Sequence, residues 1–166
     1  MREYVRDRER LEHIVQAIDR ILEFADGKTK EELEADNLKY YGIVKNIEII
    51  GEATYKLTRV FRRQHPDTPW EFITKMRHVL VHDYYQIKAT EVWKAINEDL
   101  YSLREQTTCY LSETDWEAWE KREDVIVEAT TNKNLEQTAR RMKAKGYSNE
   151  DIADVTGLTA EEISNL

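Results

Sequence analysis

Apolar side chains recur at every third or fourth position along most of this chain, and very little interrupts the pattern. Leu11, Ile14, Val15, Ile18, Ile21 and Leu22 make one such stripe, which places them on a single face of an α-helix. Only five glycines and two prolines fall among 166 residues, so few positions are available to break helices or to turn strands. No β-hairpin signal is present. The periodicity predicts an all-α protein, an antiparallel bundle of about four to five helices followed by a short helical tail.

Local signals place the helix ends. The first helix is expected from about Tyr4 to Phe24, punctuated by Gly27. Thr29 with Glu32 reads as a capping box opening a long second helix, whose inward side chains would include Leu33, Tyr40, Tyr41, Val44, Ile47, Ile50, Thr54 and Leu57. Gly51 in that helix costs stability and suggests close approach of a neighbour. The segment His65-Pro66-Asp67-Thr68-Pro69-Trp70-Glu71 is the clearest boundary: Thr68 can cap, Pro69 suits the first helical position, and Glu71 completes a capping box. Trp70, Ile73, Met76 and Leu80 then give the third helix a buried stripe. Thr90 would cap a fourth helix through about Tyr110, closed by Val92, Trp93, Ile96, Leu100 and Leu103.

The chain divides into three regions: a helical bundle over 1–110, an acidic and partly helical connector over 111–131, and a small helical tail over 132–166. In the tail, Leu135, Ala139 and Met142 mark one helix stopped by Gly146. Ser148 with Asp151 opens a second, and Thr159 with Glu162 a third. This tail is similar to a helix-turn-helix half. Its last helix carries Glu161 and Glu162 and no Lys or Arg, the wrong sign for phosphates, so an interaction or dimer-supporting role is expected in place of DNA binding.

A net charge of -8 argues against a protein that coats nucleic acid along its whole surface. The charge is uneven, however. Arg59, Arg62, Arg63, His65, Lys75, Arg77, His78 and His82 form a basic stretch, broken mainly by Asp67 and Glu71, whereas carboxylates dominate from Glu113 to Glu128. A locally basic cleft on an acidic protein suits a single-stranded or looped substrate. The single cysteine, Cys109, cannot form an internal disulfide, and no spacing of Cys and His suggests a metal site. With no apolar signal region and no run near the roughly 20 residues that span a bilayer, a reduced cytoplasmic setting is expected.

The chemistry concentrates in Arg77-His78-Val79-Leu80-Val81-His82-Asp83-Tyr84. Arg presents a planar fork of donors matched to phosphoryl oxygens, His exchanges a proton near neutral pH, and Tyr carries a nucleophilic hydroxyl. With about 100° per residue, helix positions five apart differ by roughly 140° while positions seven apart nearly coincide. Arg77 and Tyr84 can share a face, but His82 looks sideways. Either the helix bends or ends near Asp83, or a second copy of the segment completes the site across a two-fold interface; the dimer is the favoured alternative. The competing assignment pairs Arg77 and His82 with helix-end carboxylates.

The spacing Arg77, four residues, His82, one residue, Tyr84 resembles the signature of the HepT-like toxins of the HEPN superfamily. The likeness extends to Asn46-Ile47-Glu48-Ile49-Ile50-Gly51-Glu52-Ala53, similar to the family's I-G-E-A helix, and to Pro69-Trp70 with Met76-Arg77-His78. It covers about residues 5–110. The resemblance implies a HEPN-type homodimeric bundle with Arg77 and His82 as nuclease residues, cleaving RNA without metal or other cofactor. It also implies the toxin half of a type VII-like toxin–antitoxin pair, whose partner, a minimal nucleotidyltransferase antitoxin, transfers AMP to Tyr84. His78 stands where the superfamily often has Asn; His78, Glu52 and Asp83 are candidate supporting residues. A catalytically silent helical protein that only binds such a transferase is the alternative.

Overall fold

The computed structural model describes residues 6–82 and 89–166, the side chains of 77–82 excepted. Among the described residues every regular element is helical. They fall into two compact units, Arg6–Trp116 and Glu117–Leu166.

In the first unit, α1 (Asp7–Ala25) packs on α3 (Asn37–Tyr55) and on α7 (Leu100–Glu113), and α3 packs in turn on α5 (Trp70–His82). The expected stripe of α1 is the one buried: Leu11, Ile14, Ile18 and Ile21 are wholly enclosed, facing a core that includes Ile43, Ile47 and Ile50 of α3. At the start of α1, Asp7 is itself buried and ties two elements together. Its carboxylate accepts from the Thr58 amide at 2.8 Å and from the Thr58 hydroxyl at 2.7 Å, while the same hydroxyl accepts from Phe61 N–H to cap α4 (Arg59–Gln64). A buried carboxylate is tolerable because such donors replace its lost water.

The second helix departs from expectation. The Thr29–Glu32 capping box forms, but α2 (Lys30–Ala35) ends at Asp36, and α3 starts afresh there. The Asp36 carboxylate accepts from Lys39 N–H at 3.1 Å, so this residue caps a new helix where the periodicity alone predicts continuation. Tyr41, expected inward, is 68% exposed, and Leu57 is buried beyond the helix end. A close helix approach is present at Gly42, where an added Cβ would lie 3.1 Å from the Phe24 ring. Gly51 is buried.

The fourth helix is also subdivided. α6 (Ala89–Lys94) passes through a π-turn at Ala95–Asp99 into α7, with Leu100 N–H donating to Ala95 C=O. Ile96, Leu100 and Leu103, spaced as i, i+4 and i+7, all reach the core. Arg104 of α7 meets Asp19 of α1 at 2.6 Å on the surface.

The second unit includes most of α8 (Trp116–Glu120), then α9 (Glu123–Ala144), α10 (Asn149–Thr156) and α11 (Ala160–Ser164). α9 runs unbroken through residues 131 and 132. The Arg122 guanidinium lies 4.7 Å over the Trp119 ring. Ala139, Ile152 and Ile163 form a small core, flanked by Met142, Ala153, Leu158 and Leu166. Both expected capping boxes form, Ser148 with Asp151 and Thr159 with Glu162. Gly157 closes α10 at a φ of 69°, a left-handed conformation that a Cβ would strain. The end of α11 is held from α9: Arg140 donates to Leu166 C=O at 2.9 Å and Lys143 to Ile163 C=O at 3.0 Å.

Candidate functional site

The beginning of α5 is fixed by a dense set of aromatic and polar contacts. His65 ends α4, and its carbonyl accepts from the Trp70 indole at 2.7 Å, folding the Pro66–Pro69 turn back on itself. The Thr68 hydroxyl donates to Gln106 Oε1 at 2.8 Å and lies 2.8 Å from the Tyr110 hydroxyl, joining the head of α5 to α7. Phe61 stands among these groups, its ring centroid 4.4 Å from His65, 6.2 Å from Trp70 and 6.0 Å from Tyr110. The His65 ring is also 4.0 Å from Tyr110. Rings packed this way are rigid at little entropic cost, so α5 leaves the turn in a set direction.

This packing corrects one member of the expected basic stretch. Burial lowers the pKa of His65 below the ordinary value of 6.5, which weakens what the ring can add to a phosphate-attracting field. Arg59 and Arg63 are exposed on α4 and Lys75 on α5.

α5 stays helical from Trp70 to His82 and so carries the backbone of Arg77, His78 and His82. Their side chains lie outside the described residues, as do Asp83 and Tyr84 entirely. Helical geometry sets Arg77 and His82 about 7.5 Å apart along the axis and roughly 140° apart around it. Glu52, the remaining candidate, is half-buried on α3, the helix that packs against α5. Its carboxylate meets Lys56 Nζ at 3.0 Å.

Glu52 also lines a feature that sequence reasoning missed, an open cleft between α1 and α3. Arg10 and His13 border it from α1, and Lys45, Glu48 and Lys56 from α3. On α3 these positions share a helical face, which the sequence shows. That Arg10 and His13 stand opposite them is set by helix packing, for which no sequence signal exists.

Among the described residues no group of three or more His, Cys, Asp or Glu side chains is placed to hold a metal ion, and no helix is long and apolar enough to cross a membrane.

A family model described as "Ribonuclease HepT-like" matches residues 14–109, more than half of the chain and within the first compact unit. "Probable ribonuclease HepT" of Thermococcus cleftensis is 35% identical over 94 residues, covering 57% of this chain and 86% of that protein. "Putative RNase TTE0752" of Caldanaerobacter subterraneus subsp. tengcongensis is 33% identical over 96 residues, covering 58% of this chain and 86% of its own length. No solved structure gives a significant match.

Proposed function

This chain belongs to the HepT-like ribonuclease family, and from that premise we propose that it is an endoribonuclease toxin whose working unit is a homodimer and whose activity is switched off by AMP transfer to Tyr84. The observation that carries this reading is coincidence: the family match over 14–109 includes Glu52 on α3, all of α5, and the Arg77, His82 and Tyr84 spacing.

In the proposed reaction, His82 takes the proton from a ribose 2'-OH, whose oxygen attacks the adjacent phosphorus. The bond from phosphorus to O5' breaks, leaving a 2',3'-cyclic phosphate and a 5'-hydroxyl that gains a proton. Arg77 stabilises the charge developing on the phosphoryl oxygens. No metal enters these steps. The leaving oxygen needs an acid, and His82 of the partner subunit or His78 can supply it. The angular offset of Arg77 and His82 on one helix supports the dimer, since two copies of α5 facing each other bring both groups to a single phosphate.

For the switch, the Tyr84 oxygen bonds to the α-phosphorus of ATP bound by a minimal nucleotidyltransferase, and pyrophosphate and the phenolic proton depart. The attached AMP then fills a phosphate-binding cleft with negative charge.

RNA cleavage in EDTA tests the catalytic assignment: Arg77→Ala and His82→Ala are each expected to lower the rate by at least about a hundredfold. Cleavage by either variant at the wild-type rate refutes it. Incubation with the transferase and ATP should add AMP mass to the wild type but not to Tyr84→Phe, and an unmodified wild type refutes the switch.

A further inference from the structure

Apart from Glu52, a candidate supporting residue, the lining of the cleft between α1 and α3 has no part in the proposed cleavage or in the AMP switch, and it suggests a ligand. Lys45 is paired with Glu48 at 2.8 Å and Lys56 with Glu52 at 3.0 Å, so the charges contributed by α3 largely offset one another. The uncompensated cation comes from α1. Arg10 is half-buried, and its Nε, shielded from solvent, finds no hydrogen-bond partner among the described residues. Arg10 lines the cleft and makes no ion pair among the described residues, so its guanidinium carries a charge that an incoming anion would match. His13 stands one helical turn further along the same face of α1, exposed at the cleft edge.

The shape narrows the class of anion. Lys45 and Lys56 mark the two ends of the α3 wall, eleven residues and therefore about 16 Å apart along the helix. A single phosphate would occupy a small part of that length, whereas an extended phosphodiester strand follows it. The cleft also holds Glu52 on the helix that packs against α5, so the same α3 separates Arg10 from the helix bearing Arg77 and His82.

We propose that the α1–α3 cleft is a backbone-phosphate subsite for single-stranded RNA, with Arg10 as its principal phosphate ligand and His13 as its second. It deepens and rests on the ribonuclease reading, because it assigns the path of the strand away from the scissile bond. Contacts of this kind set register and affinity and carry no base sequence. The paired glutamates limit the subsite to one or two phosphates and keep the cleft from acting as a general polyanion trap.

The test uses the full-length chain and a fluorescent single-stranded RNA with 2'-O-methyl riboses, which binds but cannot be cleaved, followed by anisotropy at increasing potassium chloride. Arg10→Ala is expected to weaken binding about tenfold and to flatten the salt dependence by about 0.7, the share of one phosphate contact on a single strand. Arg10→Lys should restore the salt slope and part of the affinity. His13→Glu, at an exposed position that does not threaten folding, should weaken binding without touching the core. Wild-type affinity and slope in both Arg10→Ala and His13→Glu overturn the subsite, as does absence of RNA binding by the wild type. AMP binding that depends on Arg10 while RNA affinity stays unchanged also overturns it, reassigning the cleft to a mononucleotide. A wild type that binds RNA through Arg10 yet never cuts unmodified RNA sinks the nuclease reading and leaves the subsite standing. Cutting that depends on Arg77 while Arg10→Ala and His13→Glu bind normally does the reverse.

Discussion

The unit Arg6–Trp116 and the unit Glu117–Leu166 are both helical, but they are held together by different physics. The first encloses several wholly buried isoleucines with Leu11 and Phe61, and it places polar groups such as Asp7 and Thr58 inside with partners. The second has Ala139, Ile152 and Ile163 at its centre and depends heavily on helix ends: two capping boxes, a left-handed Gly157, and Arg140 and Lys143 on the carbonyls of α11. A large core can hold an unsatisfied or strained group at a functional site. A small core cannot, so the second unit leans on the local interactions at its helix ends.

The largest expected effect tests the aromatic head of α5. Phe61→Ala should cost about 3–5 kcal/mol in chemical denaturation, since it empties a wholly buried ring site where α4, α5 and α7 meet. A loss under about 1 kcal/mol would mean that α5 is positioned by something else.

Ile152→Ala comes next, at about 2–4 kcal/mol. Amide exchange should rise in α10 and α11 while α1 and α3 keep their protection. Equal loss of protection in α1 would show that the two units unfold as one, and the contrast between them would be wrong.

A smaller change probes the caps alone. Ser148→Ala should remove about 1 kcal/mol from the second unit, read as loss of exchange protection in the first turn of α10. No change there would mean that the small core, and not the cap, sets the helix start.

The smallest effect is a pH dependence confined to the first unit. Burial lowers the folded-state pKa of His65 below 6.5, so the unfolded chain takes up a proton before the folded one does. The stabilisation is complete above about 6.5 and is lost as pH falls through the folded value. Stability curves of wild type and His65→Gln should therefore converge as the medium is acidified from neutrality, measured by denaturant midpoints. Parallel curves would show that the ring is not desolvated as the packing implies.

Legibility followed the same division. The tail could be read residue by residue, because a capping box or a C-terminal glycine acts within one helical turn and the sequence contains both partners. In the bundle the apolar stripes were equally legible, yet Asp36 divided a helix that periodicity made continuous. A π-turn at Ala95–Asp99 entered where an unbroken helix was expected. Both are competitions between local hydrogen bonding and core packing, and a pattern of apolar positions does not record which wins. For the candidate site, the spacing of Arg77, His82 and Tyr84 was plain in the sequence, whereas His65 looked like a member of the same basic group and is packed against Phe61 and Tyr110, where burial lowers its pKa.

The sequence by itself determined the helical class, the capped ends, the family and the candidate reactive residues, because each depends on groups within a few positions of one another. Only the tertiary structure decided that Thr58 receives Asp7, that Thr68 reaches Gln106 and Tyr110, and that Arg10 faces Lys45 and Glu52 across a cleft. Those partners lie tens of residues apart. They meet because burying the stripes of α1, α3 and α7 fixes which polar faces are left beside each other, and the polar residues themselves carry no signal of that choice.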